Sequence, residues 1–142
     1  MATLGNIKVL FVAGFGPIVR DPAQSRKLYG DTLGIPLEVV DGDYFHTGAL
    51  PGVKHFALCP LSKAAQSCFG KDSWPDNIPV PQAWMELDVE NIETATAELE
   101  SRGYRLLLKN KHEPWGQTVT RLLSPEGLLL GLTITPIMRE QK

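Results

Sequence analysis

A chain of 142 residues with 43% hydrophobic and 21% charged residues has the size and composition of one globular domain with a core. Its net charge is −2 and its lysines and arginines are scattered, so we expect no nucleic-acid partner. No apolar run approaches the roughly 20 residues of a membrane span, so no membrane partner is expected, and Cys59 and Cys68 are expected to be reduced thiols in a cytoplasmic protein.

The first half of the chain predicts one strand, one helix and three further strands. The strand is IKVLFVAGFGPIV (7–19), which is apolar and rich in β-branched residues. A helix follows in DPAQSRKLYGDTLG (21–34), where Asp21 is a candidate N-cap, Pro22 suits the first turn and Gly34 ends the helix. PLEVV, YFHTG and VKHFALC predict three short strands, the first two joined by an Asp-Gly hairpin turn at 41–42.

The second half repeats this order after a segment that is rich in Pro, Ser and Lys. That segment predicts a short helix and then an irregular linker. AWMELDVE (83–90) is a strand, NIETATAELESRG (91–103) is a helix with Asn91 as its N-cap, and YRLLLKN, QTVTRLL and LLLGLTIT are strands. We therefore predict one domain over residues 1–142, with module one at about 5–60, a linker at 61–81 and module two at about 82–136.

Three segments resemble the vicinal oxygen chelate superfamily, which includes glyoxalase I, extradiol dioxygenases, fosfomycin-resistance enzymes and bleomycin-resistance proteins. VRDPAQSRKLYGDTLGIPLE and LDVENIETATAELESRG are similar to its two helix signatures, and EPWGQTVTRLLSPEGLLLGL is similar to its final hairpin. The resemblance implies an α+β fold in which two βαβββ modules form a cupped mixed sheet. It further implies helices on the outer face and a pocket on the concave side.

Catalytic members of that superfamily hold a divalent metal with ligands on the first strand of each module and on the last strand. Those positions carry Gly14, Trp84 and Gly131 in this sequence, and none of the three offers a ligand side chain. We therefore expect neither a metal nor another cofactor. A site built from His46, His55 and His112 is the alternative, but their spacing does not favour it, and His55 is expected to point toward the helices.

Alternation along the strand at 84–89 places Met85, Leu87 and Val89 on a core face and leaves Trp84 and Glu86 on the concave face. An indole next to glycines offers a planar ligand a surface to stack on, and the carboxylate offers it a polar partner. The predicted ligand-binding residues are Trp84, Glu86, Gly14, Gly16, Phe56, Tyr44, Trp74, Trp115, Gly131 and Thr133.

Structural explanations remain open for the same residues. Trp84 alone would fill the cup as packing, Glu86 would be a rim carboxylate in water, and Gly14 and Gly16 would mark a bulge or a close strand crossing. Trp115 either packs the hairpin or caps the pocket. Arg121 is a candidate for binding an anion, although an exposed strand arginine is the default expectation.

The leading functional hypothesis is a metal-independent small-molecule-binding protein. It would be similar to the bleomycin-resistance branch, which provides antibiotic resistance by sequestering a drug in grooves of a homodimer. The alternative is a glyoxalase-like lyase, isomerase or dioxygenase with Glu86 as catalytic general base, so whether the chain is an enzyme stays open. A third hypothesis is a partner-regulating module with a vestigial pocket.

Overall fold

The computed structural model describes residues 7–140, so residues 1–6 and 141–142 of the predicted domain lie outside it. Eight strands are present in this range: β1 (Val9–Val19), β2 (Glu38–Asp41), β3 (Tyr44–Thr47), β4 (Phe56–Pro60), β5 (Ala83–Val89), β6 (Leu108–His112), β7 (Thr118–Leu123) and β8 (Leu129–Ile134). They form one open sheet in the order β2-β3-β4-β1-β5-β8-β7-β6. The pairing is mixed, which confirms the predicted α+β fold class.

The two halves join through antiparallel pairing of β1 with β5. In this register Gly14 is opposite Glu86 and Gly16 is opposite Trp84. On the far sides, β1 pairs in parallel with β4, and β5 pairs in parallel with β8, where Gly131 is opposite Glu86. We call the face that carries Trp84, Glu86 and Arg121 the inner face, and the opposite face the outer face.

The helix of each module lies on the outer face. In module one, α1 (Pro22–Arg26) continues as a π-helix (Lys27–Thr32), and the Asp21 side chain accepts a hydrogen bond from the Gln24 N–H. In module two, α3 (Ile92–Ser101) has the predicted cap, because Asn91 accepts a hydrogen bond from the Thr94 N–H. A short helix, α4 (Pro136–Glu140), follows the last strand. None of the helices in residues 7–140 combines the length and apolar character that crossing a bilayer requires.

The outer face holds two apolar clusters, one under each module helix. Val19, Phe45, Phe56 and Leu58 pack with residues of the first helix and the loops beside it, among them Tyr29. Val89, Ile92, Ala95 and Leu132 form the cluster under α3. The strand predicted at 84–89 divides its faces as the alternation indicated, but the predicted core face is the less buried one. Met85 and Leu87 are only partly buried, whereas Trp84, Glu86 and Asp88 on the inner face are buried.

The linker covers the inner face, which the sequence pattern did not predict. It begins with α2 (Leu61–Phe69), whose Ala64, Ala65 and Cys68 belong to one buried cluster with Trp84 and Leu129. Trp74 and Ile78 from the irregular part of the linker complete this cluster. The segment predicted as a short helix and an irregular linker thus contains that helix, and it also forms the inner half of the core.

Candidate functional site

Trp84 lies on the inner face at the start of β5, with only 5% of its surface exposed. Its indole N–H donates a hydrogen bond to the carbonyl of Ala57 at 3.2 Å. A Cβ added to Gly14 would come within 2.7 Å of the indole, and one added to Gly16 would overlap the Ala57 carbonyl. The indole therefore occupies the space that Gly14 leaves, and Gly16 marks a close approach of strands. The open cavity predicted in front of Trp84 is absent from this conformation.

Glu86 and Arg121 form a buried ion pair beside this tryptophan. An Oε2 of Glu86 lies 3.1 Å from an Nη2 of Arg121, and Glu86 Oε1 accepts a hydrogen bond of 2.8 Å from the Gln117 side-chain amide. The explanation of Glu86 as a rim carboxylate in water is wrong, and so is the expectation of an exposed Arg121, because each is only 7% exposed. Each of the two buried charges therefore has the partner that a charge needs when it is removed from water.

Helix α2 contacts this ion pair through Ser67. Arg121 Nε donates to the Ser67 hydroxyl at 3.3 Å, and the ammonium of Lys111 donates to the Ser67 carbonyl at 3.0 Å. The first of these bonds is long for an N–H···O hydrogen bond and is therefore weak. The side of the guanidinium that faces α2 is thus held less firmly than the side that faces Glu86.

Four aromatic rings follow one another across the inner face toward this centre. The ring centroids of Tyr44 and His46 are 6.4 Å apart, those of His46 and His55 are 5.2 Å apart, and those of His55 and Trp84 are 5.9 Å apart. His46 Nδ1 and His55 Nε2 also share a hydrogen bond of 3.1 Å. We call Tyr44, His46, His55 and Trp84 the aromatic row. Its first three members are partly exposed, in contrast to Trp84.

The predicted faces of β4 are reversed. Phe56 was expected on the concave side, but its ring packs on the outer face against Tyr29, with a centroid distance of 6.0 Å. His55, expected to point toward the helices, lies in the aromatic row instead. Both faces of β4 are covered, one by the first helix and one by α2, so apolar character did not distinguish them.

Burial shifts the pKa of three titratable groups on the inner face toward their neutral forms. It lowers the pKa of His55, an effect that Glu86 opposes and His46 reinforces. It raises the pKa of the Tyr44 phenol, to which Cys59 and Glu86 contribute further. The pKa of the Cys59 thiol rises to about 12, again mainly by burial, while Arg121 opposes the rise. At neutral pH His55, Tyr44 and Cys59 are therefore uncharged near the Glu86–Arg121 pair.

Of the four remaining predicted site residues, two lie in β8 on the inner face and two are tryptophans outside the strands. Gly131 lies under the ion pair, since an added Cβ would be 3.1 Å from Glu86 Cγ and 3.2 Å from Arg121 Nη1. Thr133 is on the same face, but its hydroxyl donates to Asp88 at 2.8 Å. Trp74 is buried with its N–H bonded to the Ile78 carbonyl, whereas Trp115 is 66% exposed and its N–H donates to Gln117. Trp115 therefore packs the hairpin.

The sequence profile of the Glyoxalase/Bleomycin resistance protein/Dioxygenase superfamily matches residues 15–132, which is most of the chain. The chain belongs to this superfamily. The match confirms the resemblance drawn from the helix and hairpin segments. No curated protein sequence matches the chain significantly.

Solved structures share the superfamily fold at low sequence identity. A superfamily member from Vibrio splendidus 12B01 has a TM-score of 0.56 at 16% identity over 90% of this chain and 98% of that one. Streptomyces coelicolor methylmalonyl-CoA epimerase has a TM-score of 0.55 at 12% identity over 91% of this chain and 99% of that one. An extradiol ring-cleaving dioxygenase from B. fuscum has a TM-score of 0.60 at 18% identity, with 96% of this chain and 37% of that one covered.

The three positions at which superfamily relatives were expected to hold a metal do not fit one here. Gly14 and Gly131 have no ligand atoms, and the only polar atom of the Trp84 side chain is an N–H donor already bonded to Ala57. Within residues 7–140, no three His, Cys, Asp or Glu side chains are grouped so that they could hold a metal ion. The inner face of this superfamily member is arranged for hydrogen bonding and ring packing.

Three inner-face residues were missed or underestimated from the sequence. Gln117 and Ser67 carry no motif, and Arg121 is one arginine in an ordinary strand pattern. Parity along β7 was the available signal, because residues 117, 119 and 121 share a face with Gly131 through the register of β7 and β8. The helical spacing of Ala64, Ala65 and Cys68 was a second signal, since it marks a small-residue face that fits closely against a sheet.

Proposed function

We propose that this protein is a metal-independent small-molecule-binding protein of the glyoxalase/bleomycin-resistance type, which holds a planar or aromatic ligand on its inner face. The observation that carries the proposal is the aromatic row, whose exposed end is open to solvent and whose buried end reaches the Glu86–Arg121 pair. Apolar walls with a few fixed polar groups are typical of small-molecule sites.

The row supplies the stacking surface for this ligand. Tyr44, His46 and His55 are partly exposed, and burial keeps the His55 imidazole uncharged, so their rings form an aromatic wall. Offset or edge-on ring contacts contribute about 0.5–1.5 kcal/mol each beyond area burial. A ligand with one flat ring system would replace water on this wall.

The polar end of the ligand would be recognised by Arg121. The hydrogen bond from Arg121 to the Ser67 hydroxyl is long, so a ligand acceptor could replace it with the smallest loss of binding energy within the protein. Access requires a shift of α2, a helix of nine residues whose buried side chains Ala64, Ala65 and Cys68 are small. A helix this short is not stable alone, so its position depends on these contacts with the inner face.

The enzymatic alternative, with Glu86 as general base, is less well supported. One carboxylate oxygen is engaged by Arg121 and the other by Gln117. A general base needs a free oxygen within hydrogen-bond reach of the substrate proton. We therefore assign Glu86 the role of orienting Arg121 for ligand binding.

We further propose that the protein works in the cytoplasm as a homodimer. The two free cysteines, Cys59 and Cys68, support the compartment. The dimer is supported by Phe15 and Val12 at the centre of the sheet on the outer face, which are 44% and 46% exposed between the two module helices. Large apolar side chains at the centre of a sheet are normally covered, and a second copy would cover them.

The test is a titration of the purified protein with a library of planar ligands, followed by tryptophan fluorescence and calorimetry. We expect saturable quenching by at least one ligand class, because Trp84 is 5.9 Å from the His55 ring. His55→Leu should weaken binding, whereas Trp115→Phe, which removes the exposed indole, should preserve it. Native mass spectrometry would report the subunit count.

Two results would contradict the proposal. One is the absence of any saturable heat or fluorescence change across the library. The other is a ligand whose affinity is unaffected by both His55→Leu and Arg121→Met in variants that remain folded.

A further inference from the structure

A cleft lies near the edge of the sheet, and none of the residues that line it belongs to the aromatic row. The cleft is formed by the segment before β6, the end of β7 and the irregular part of the linker, and its volume is about 160 Å³. We call it the edge cleft; it is lined by Asn77, Ile78, Pro79, Tyr104, Arg105, Leu107, Leu122 and Leu123. An apolar cavity of roughly this volume, about 150 Å³, accommodates one benzene molecule.

The walls of the edge cleft are apolar and held by backbone hydrogen bonds. The Trp74 indole N–H donates to the carbonyls of Ile78 and Pro79, each at 3.1 Å. On the opposite side, the Leu107 N–H donates to the Arg121 carbonyl at 2.8 Å. Because these bonds fix both walls, ligand binding would cost little conformational entropy of the protein.

Arg105 is the only charged residue among those that line the edge cleft. Its guanidinium has no hydrogen bond or ion pair to another side chain within the part of the chain that the structure describes. Arg105 is exposed, and an exposed guanidinium without a partner beside a cleft complements a carboxylate, which it can bind with two parallel hydrogen bonds.

We propose that the edge cleft binds a small monocarboxylate with an aromatic or branched aliphatic body. The body fills the space between Ile78, Leu107 and Leu122, and the carboxylate pairs with Arg105. The lining of the edge cleft shares no residue with the aromatic row or the Glu86–Arg121 pair, although Ile78 also packs in the inner-face cluster. The inference therefore does not depend on the function proposed above.

The experiment compares sodium benzoate with benzyl alcohol, a neutral molecule of similar shape, by amide-resolved NMR titration. Benzoate should shift the amide signals of Ile78 and Leu107 and the Trp74 indole N–H. Its affinity should exceed that of benzyl alcohol by about fivefold, which is the increment of a solvent-exposed charge pair.

Two variants and one matched control complete the test. Arg105→Gln should remove the preference for benzoate, and Leu107→Phe, which fills the cleft, should abolish binding of both probes. Arg102→Gln removes the same charge three residues away, where the side chain pairs with Glu98, and should leave both affinities unchanged. Equal affinities of wild-type protein for the two probes, or an unchanged benzoate affinity in Arg105→Gln, would overturn the inference. His55→Leu should have no effect here, which separates this result from the inner-face test.

Discussion

Arg121→Met tests the energetic role of the buried ion pair, because it removes the charge and retains most of the apolar volume. The side chains of Arg121 and Glu86 expose only 8% and 10% of their surface. Removing one partner of such a pair costs about 3–5 kcal/mol, since the other charge stays buried without compensation. Gln117 still donates to Glu86 at 2.8 Å in the variant, which favours the lower end, about 3 kcal/mol.

A double-mutant cycle with Glu86→Gln separates the pair from other effects of substitution. We expect each single variant to lose about 3 kcal/mol and the double variant no more than that, which gives a coupling energy of about 3 kcal/mol. In urea denaturation this loss lowers the midpoint of each single variant by about 1.5 M, for a denaturant slope of about 2 kcal/mol per molar.

The matched control is the exposed pair of Lys109 and Glu100, which are 2.8 Å apart with 56% and 47% of their side chains exposed. Lys109→Met should cost less than about 1 kcal/mol, as is usual for surface pairs. A loss below 1 kcal/mol for Arg121→Met, or strictly additive losses in the double variant, would refute the reasoning, because either result would mean that water reaches the pair.

Three further predictions follow from the inner face. Gly16→Ala should lower the free energy of unfolding by at least about 2 kcal/mol, because its Cβ overlaps the Ala57 backbone; Gly48→Ala, whose Cβ has room, is the control, and an equal loss in both would disprove the close approach. Burial lowers the pKa of His55 below its unfolded value of about 6.5, so the free energy of unfolding should decrease from pH 7 toward pH 5 as only the unfolded chain gains the proton. His55→Gln should weaken that dependence in urea denaturations at each pH, and an unchanged dependence would count against it. In Cys59→Ser, labelling of Cys68 at pH 8 should be about a hundredfold slower than in denaturant, because burial raises the pKa of this thiol to about 11; equally fast labelling would show that α2 does not cover it.

The sequence was informative where the deciding signal is local. In β5 the alternation correctly separated Met85 and Leu87 from Glu86 and Asp88, but it did not show that the acidic face is the more deeply buried one. The caps at Asp21 and Asn91 located both module helices for a similarly local reason, since each side chain bonds a backbone N–H three residues later.

The sequence was ambiguous where both faces are covered. At the start of β4, Ala57 and the preceding His55 face the inner side and Phe56 and Leu58 the outer side, and either set is compatible with a buried strand. The strand pattern predicts an exposed Arg121, because its partner, Glu86, comes from a different strand and the pairing depends on tertiary register. The short helix before the linker is predicted, but its packing on the inner face is not, because its buried side chains are too small to indicate a core.

The seam between β1 and β5 has a consequence for synthesis of the chain. The first module leaves the ribosome with one side of its 11-residue first strand unpaired, and that side stays open until β5 has been made. Exposed strand edges template association with other chains, so neighbouring nascent molecules compete for this position. Covalent tethering through the linker gives the correct second module a high effective concentration at the open edge. The linker therefore favours pairing of the two modules within one nascent chain over domain swapping between chains, in addition to covering the inner face.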